Sequence, residues 1–276
     1  MKQTRRLLSI VVLCNLVWYA ARTFEKRANL MQTGKTIWYF IKFCAKQEHA
    51  EMFMDGKLFM NRLSYFKPLD TASGDGRGDQ SEAVSHWWQP HDTTIKLTFP
   101  GFPELTLTKD DLAFPTSMSY EFHDHLHIFC MYGMATAGFD MVDGKIEYSP
   151  DQADELKRQL AIDERCFEFG EFAVVVPATQ LVERVKASLT EKRLPARLRA
   201  VDYFDGTIFH GEVKVEEIPF RKLRQYSYQN EFRICINTGT RGEDPMTLDI
   251  GSLRDCSAMA RSSDLNKLFS IESIAV

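Results

Sequence analysis

"IWYFIKFCAKQEHAEMFMDGK", residues 37–57, decides the fold class. Ile37 to Cys44 is almost wholly aromatic or aliphatic, which predicts a buried strand. The spacing then changes: Ala45, His49, Met52 and Phe53 share one face of a helix that stops at Gly56. A strand running straight into an amphipathic helix excludes all-β and all-helical architectures.

Outward from this unit the same alternation continues. "KLFMNRLSYF" (57–66) reads as a strand or strand-turn. "TIKLTFPGFPELTLT" (94–108) reads as two strands joined through Pro100-Gly101. "HLHIFCMYG" (125–133) and "EFAVVVP" (171–177) predict strands, the first of them central, and Pro150 to Cys166 carries a helical pattern. "ATQLVERVKASLTEKRL" (178–194) repeats apolar residues at Leu181, Val182, Val185 and Leu189, a helix with a basic outer face ending by Pro195. Strand-like "RAVDYFDG" and "FHGEVKVEEI", a strong strand in "QYSYQNEFRICIN" (225–237) and a short helix around "SSDLNKLF" complete the chain. The expectation is a single α+β domain over residues 31–276, a mixed, largely antiparallel sheet with a few flanking helices.

Composition narrows function. The 34 Lys and Arg against 38 Asp and Glu give a net charge of -4, so no general nucleic-acid binding is expected. The six cysteines show no C-x-x-C and no zinc spacing, and several sit inside apolar runs. Most of them read as core residues in a reducing, cytoplasmic compartment.

Residues 1–30 stand apart. An apolar run from Leu7 to Ala21 follows the basic cluster at Arg5 and Arg6. It is near signal-peptide length and shorter than the roughly 20 residues of a spanning helix. A secretory signal, a membrane anchor through residues 7–21, and an appended helix or upstream start ahead of Met31 are the readings, of which the last is preferred. Membrane contact is expected only through this segment. "TGKT" lacks the glycine that a phosphate loop needs at position 29, where Asn29 stands.

Chemistry-bearing residues cluster in three places. "GDGRGDQSEAVSHWW" (74–88) aligns with a calcium loop only if Thr71 is the first ligand, which argues against one. Its glycines suit a flexible connection. His123, His125 and His127 alternate, so a strand there would put all three on one face, where two could share a metal with Asp79 and Glu82. Gln229, Glu231 and Arg233 alternate likewise, and Arg233 is the natural partner for a buried Glu231.

Together, "IWYFIKF", "GKLFMNRLSYFKP…GRGDQSE", "HIFCMYG", "FGEFAVVVP", "VDYFDG" and "FRKLRQYSYQNEFRICI" resemble, in order, a large bacterial and phage-associated family of uncharacterised proteins. The resemblance spans residues 37–236 and implies a role in phage–bacteria conflict but no established activity. This chain departs from that pattern at Asn61-Arg62, where Asn-Asp is expected, and at Gln229, where a glutamate is expected. The closing strand is also similar to the Gln/Glu-x-Glu signature of ADP-ribosyltransferases. That similarity implies NAD as cofactor, Glu231 stabilising the oxocarbenium-like ribose, Gln229 positioning a protein acceptor, and Lys42, Arg62 and Tyr65 holding the nucleotide. The Ser-Thr-Ser element has only a spacing equivalent, Ser117-Met118-Ser119.

Three functions follow. The first is an NAD-using transferase or glycohydrolase with residues 70–82 as a lid. The second is a non-catalytic interaction or inhibitor module anchored by Trp87 and Trp88. The third is a metal-dependent phosphodiesterase using the His/Asp/Glu cluster.

Overall fold

Apolar residues on both faces of one long strand allow a sheet covered on both sides, and the computed structural model shows one. It describes residues 6–8, 31–32, 34–67, 79, 81–142, 145–269 and 273–274. Nearly all of the 1–30 leader and of the 70–82 loop lies outside the described residues.

The sheet has nine strands: β1 (Met31–Gln32), β2 (Lys35–Cys44), β3 (Lys57–Arg62), β4 (His127–Ala137), β5 (Phe172–Pro177), β6 (Ala196–Ala200), β7 (Glu231–Ile236), β8 (Met246–Asp249) and β9 (Ala258–Arg261). The order β6-β7-β4-β2-β5-β9 is antiparallel throughout, with β3 beside β4, β8 beside β3 and β1 beside β2. This is the expected α+β domain.

Alternation along the strands builds a core on each face. On one, Phe40, Phe129, Met131, Phe232 and Ile234 pack beneath the helices α1 (Gln47–Met54) and α3 (Ala178–Glu191). On the other, Ile41, Tyr132 and Val175 meet Leu156 and Leu160 of the helix α2 (Ala153–Leu160). Residues 150–166 do not form one helix, because the chain breaks at Ala161 into a separate 3-10 turn, Glu164–Phe169. The 94–108 hairpin forms as expected, pairing Ile95–Leu97 with Leu105–Leu107. No helix among the described residues is long and apolar enough to cross a membrane.

Four of the cysteines among the described residues behave as core residues. Cys44, Cys166, Cys235 and Cys256 are buried and free. Burial pushes the Cys166 and Cys235 thiols up to about 12, which leaves them protonated and unreactive at neutral pH.

Two glycines bring segments close enough to shape the site. Gly170 lies against the end of β2, where a Cβ would come within 2.3 Å of the Cys44 carbonyl carbon. Gly56 ends α1 at φ +78°, and a Cβ there would sit 1.9 Å from the Gly251 carbonyl oxygen. Gly56→Ala therefore combines left-handed strain with a backbone collision and is expected to lower the unfolding free energy by about 3 kcal/mol or more. Urea titration of the variant beside the parent chain measures it; a loss below about 1 kcal/mol contradicts this packing.

Candidate functional site: a forked sheet over a buried charge cluster

Over His127–Tyr132 the central strand β4 is paired without a gap on one edge only. There β7 pairs with it from Glu231↔Tyr132 to Ile236↔His127. On the other edge β2 pairs from Ala137 to Tyr132, and β3 takes over at Ile128 and His127. Between them Phe129, Cys130 and Met131 face no strand, while β2 continues to Cys44 alongside β5. The sheet forks at that point.

A cavity of about 610 Å³ occupies the fork. Its walls are aromatic, with Phe43, Phe59, Tyr65, Phe66, Phe129 and Phe169 among them, and its deep end is charged, with Lys222, Glu231, Arg233 and Glu82. Lys42 crosses the gap. Its Nζ donates to the Cys130 carbonyl at 2.8 Å and lies 4.3 Å from the Phe129 ring centre.

The deep end is organised by Arg233, which is 1% exposed. A guanidinium has five N–H donors and stays protonated in proteins. Here Nε donates to Glu231 Oε1 at 2.6 Å, Nη1 to Glu82 Oε1 at 2.6 Å and the Pro219 carbonyl at 2.5 Å, and Nη2 to Glu82 Oε2 at 3.0 Å and Glu231 Oε2 at 3.4 Å. Lys222 closes the cluster, with Nζ 3.0 Å from Glu231 Oε2 and donating to Gln229 Oε1 at 2.9 Å. Burial acts to raise the Glu231 carboxyl, but Arg233 and Lys222 outweigh it and hold the group far below the usual carboxylate range. Burial likewise pulls Lys222 down, and Glu231 and Glu82 overcome it so that the ammonium persists.

Asp79 stands behind this cluster, 1% exposed, with Oδ1 accepting from the Ser81 amide at 2.8 Å and Oδ2 unpartnered. Burial, and then the neighbouring Glu82 charge, push its carboxyl up to about 6.

The structure thus brings Glu231, Gln229, Lys42 and Tyr65 to one cavity. Gln229 arrives by an unexpected route. It is not on the strand: Arg224–Gln229 is a 3-10 turn, and β7 starts only at Glu231. Asn230 between them takes φ 37°, ψ 46°, a left-handed conformation that asparagine tolerates. Its carbonyl accepts from the Gly133 amide at 2.8 Å and its side chain donates to the Tyr132 hydroxyl at 3.1 Å.

Arg62 does not join the site. It is buried elsewhere, donating to the carbonyls of His125, Asp244 and Thr240 and to the Thr240 hydroxyl. At the end of β3 its side chain points away from the fork and ties down the loop after β7. The triple-histidine strand is also corrected. Glu121–Asp124 is a helical turn that places His123 against the Val215 carbonyl, and only His127 is in a strand. Asp79 and Glu82 belong to the Arg233 cluster, and no group of three potential metal ligands exists among the described residues. Among the described residues His123, His125, Asp79 and Glu82 do not form one cluster. Ser117-Met118-Ser119 lies in an outer strand paired with Val84–Trp88, apart from the cavity. Trp87 and Trp88 are half-buried there, Trp87 donating to the Gly206 carbonyl at 2.9 Å and Trp88 lying 4.9 Å from the His86 ring. They are packing residues rather than a flat exposed patch.

Lys222 pairs with Glu231 from 9 positions away in sequence and Glu82 with Arg233 from 151 positions away, and no local pattern announces either pairing. No family model, curated protein or solved structure matches the chain.

Two measurements test this cluster. Glu82→Gln leaves Arg233 short of one carboxylate in the interior and is expected to cost about 3–5 kcal/mol. Lys57→Ala, which removes an exposed pair with Asp249, is expected to cost under about 1 kcal/mol. Urea titration compares them; equal costs contradict a buried network.

The pH dependence has a definite sign. A carboxyl whose folded value lies above its unfolded one binds its proton more tightly when folded, so Asp79 adds stability as pH falls from above about 6 towards 3.8. Over that window the parent chain should gain about 3 kcal/mol relative to Asp79→Asn. Below about pH 4.5 the opposite trend begins, as protonation starts to remove the stabilisation from the depressed Glu231. Melting curves of both chains between about pH 7 and 4 read the difference.

Proposed function

We propose that the fork binds a nucleotide of the NAD class, with its rings against the aromatic walls and its phosphates near Lys42. The observation that carries this reading is the convergence of Lys42, Tyr65, Gln229 and Glu231, from four separate segments, on one cavity. Its volume of about 610 Å³ falls within the usual range of small-molecule sites. Among the described residues no carboxylate pairs with Lys42, so an anionic group entering the fork meets a cation it does not have to share. Tyr65, 51% exposed, stands at the rim, where an aromatic face offers stacking worth about 1–3 kcal/mol to a base.

The transferase reading adds a bond change at the charged end. The glycosidic C–N bond breaks, nicotinamide leaves with the bonding pair, and the ribose carbon bonds to an oxygen or nitrogen of a protein acceptor or water, whose proton passes to solvent. Glu231 would face the developing positive charge, and Gln229 would hold the acceptor. A carboxylate already shared by Arg233 and Lys222 has less field to spare for that cation than a solitary one. This favours a second reading, a module that binds the nucleotide without turning it over.

One experiment separates them. The full chain is titrated with NAD by calorimetry, and nicotinamide release is followed on the same samples. Tyr65→Ala and Lys42→Met are each expected to weaken binding about tenfold, a loss of about 1.4 kcal/mol, while melting temperatures show that both fold. Release that Glu231→Gln abolishes without loss of binding supports the transferase. Binding without release supports the module, and absence of binding at millimolar NAD rejects both.

A further inference from the structure

The strand β6 ends the sheet. Its inner edge pairs with β7, Ala196↔Ile236 through Ala200↔Phe232, and no strand pairs its outer edge among the described residues. The phase of that ladder is fixed at both ends: the Asn237 amide donates to the Pro195 carbonyl at 3.0 Å and the Val201 amide to the Glu231 carbonyl at 2.8 Å. Odd-numbered residues therefore turn their amides and carbonyls inward, and those of Ala196 and Leu198 face out. Such an edge is a template for another strand.

The surroundings say what kind. A groove runs between this edge and α3, floored by Val182, Leu189 and Leu198. Lys186, Arg193, Arg197 and Arg199 line it with no Asp or Glu among the lining residues, in a chain whose net charge is -4. Arg199 is paired with Asp202. No carboxylate pairs with Lys186, Arg193 or Arg197 among the described residues. Register divides the two chemistries by face. Leu198 sits opposite Ile234 on the α3 side, whereas Arg197 sits opposite Cys235 on the other.

We propose that this groove binds an extended segment of a partner protein that alternates acidic and apolar residues, adding as a strand to β6. The amides and carbonyls of Ala196 and Leu198 supply main-chain pairing. Apolar side chains of the incoming segment lie opposite Leu198 and enter the groove below α3. Acidic ones lie opposite Arg197 on the face away from α3, while Lys186 and Arg193 stand on the α3 side and add positive charge at the rim of the groove. Charge gives the orientation and the preference, because a basic segment is repelled.

The test is a fluorescence-anisotropy titration of the full chain with a labelled peptide alternating glutamate and valine. Controls alternate lysine with valine and glutamate with serine, and an oligothymidylate of similar charge is added as a further probe. The expected result is binding of the glutamate–valine peptide alone. It should weaken at least about tenfold in the doubly substituted Arg193→Glu, Arg197→Glu chain, whose circular dichroism and melting should match the parent. Methylating the peptide amides that would face β6 should abolish it. Equal binding of the glutamate–serine peptide or the oligothymidylate reduces the groove to a general anion surface and overturns the proposal. Unchanged affinity of the methylated peptide removes strand addition and does the same. Absence of binding at millimolar peptide also overturns the proposal and leaves the cations as guards against edge-to-edge association.

Discussion

Arg233 cannot shed its proton and cannot reach water, and much of the molecule is arranged around that constraint. Its five donors take both oxygens of Glu82, both of Glu231 and the Pro219 carbonyl. Each acceptor comes from a different part of the chain, so one side chain fastens β7 to the segment before Val84–Trp88 and to the turn before Lys222. Two carboxylates around one cation would leave an excess of negative charge in a low-dielectric interior. Lys222 offsets it at 3.0 Å from Glu231. Asp79 adds a further carboxyl, which burial first and the neighbouring Glu82 charge second push up to about 6.

The same cluster sits at the deep end of the fork because β7 flanks β4 where β2 leaves it. A sheet that stayed continuous would bury Glu231 beneath neighbours on every side. The parting of β2 from β3 at Phe129, Cys130 and Met131 opens one wall, and α1, which links those two strands, keeps them apart. Lys42 bridges the opening through the Cys130 carbonyl. The result is a crevice with an apolar mouth and a charged floor, the usual combination in small-molecule sites. At the other end of the sheet, β6 presents a polar edge and a basic groove with no charge-balancing carboxylate on its walls. The two surfaces differ in kind: one is a crevice between parted strands, the other a groove along an unpaired strand edge.

Charge balance also bears on reactivity. Glu231 is ionised because two cations hold it so, and those cations draw on the field it could offer a substrate. A positioned carboxylate is most effective when its counter-charge appears only in the transition state. In this cavity the counter-charge is already present, in Arg233 and Lys222.

The amino-acid sequence by itself determined the most strongly patterned strands and helices, since periodicity and glycine stops act over a few residues: β2, α1, β5 and α3 are all legible from apolar spacing. It also determined that Cys44, Cys166, Cys235 and Cys256 pack as core residues and that Glu231 takes Arg233 as a partner, two positions along one strand. Only the tertiary structure decided the rest. The alternating histidines looked like a strand face, yet Tyr120 to His125 winds into a turn, because local alternation does not distinguish an exposed turn from a strand end. Arg62 looked available for phosphate, yet it is used up on carbonyls more than 60 and 170 positions away. Lys222, Glu82 and the fork depend on contacts between segments distant in the chain. Charge pairing and strand separation are set by which elements meet in space, and no local pattern of residue types encodes that meeting.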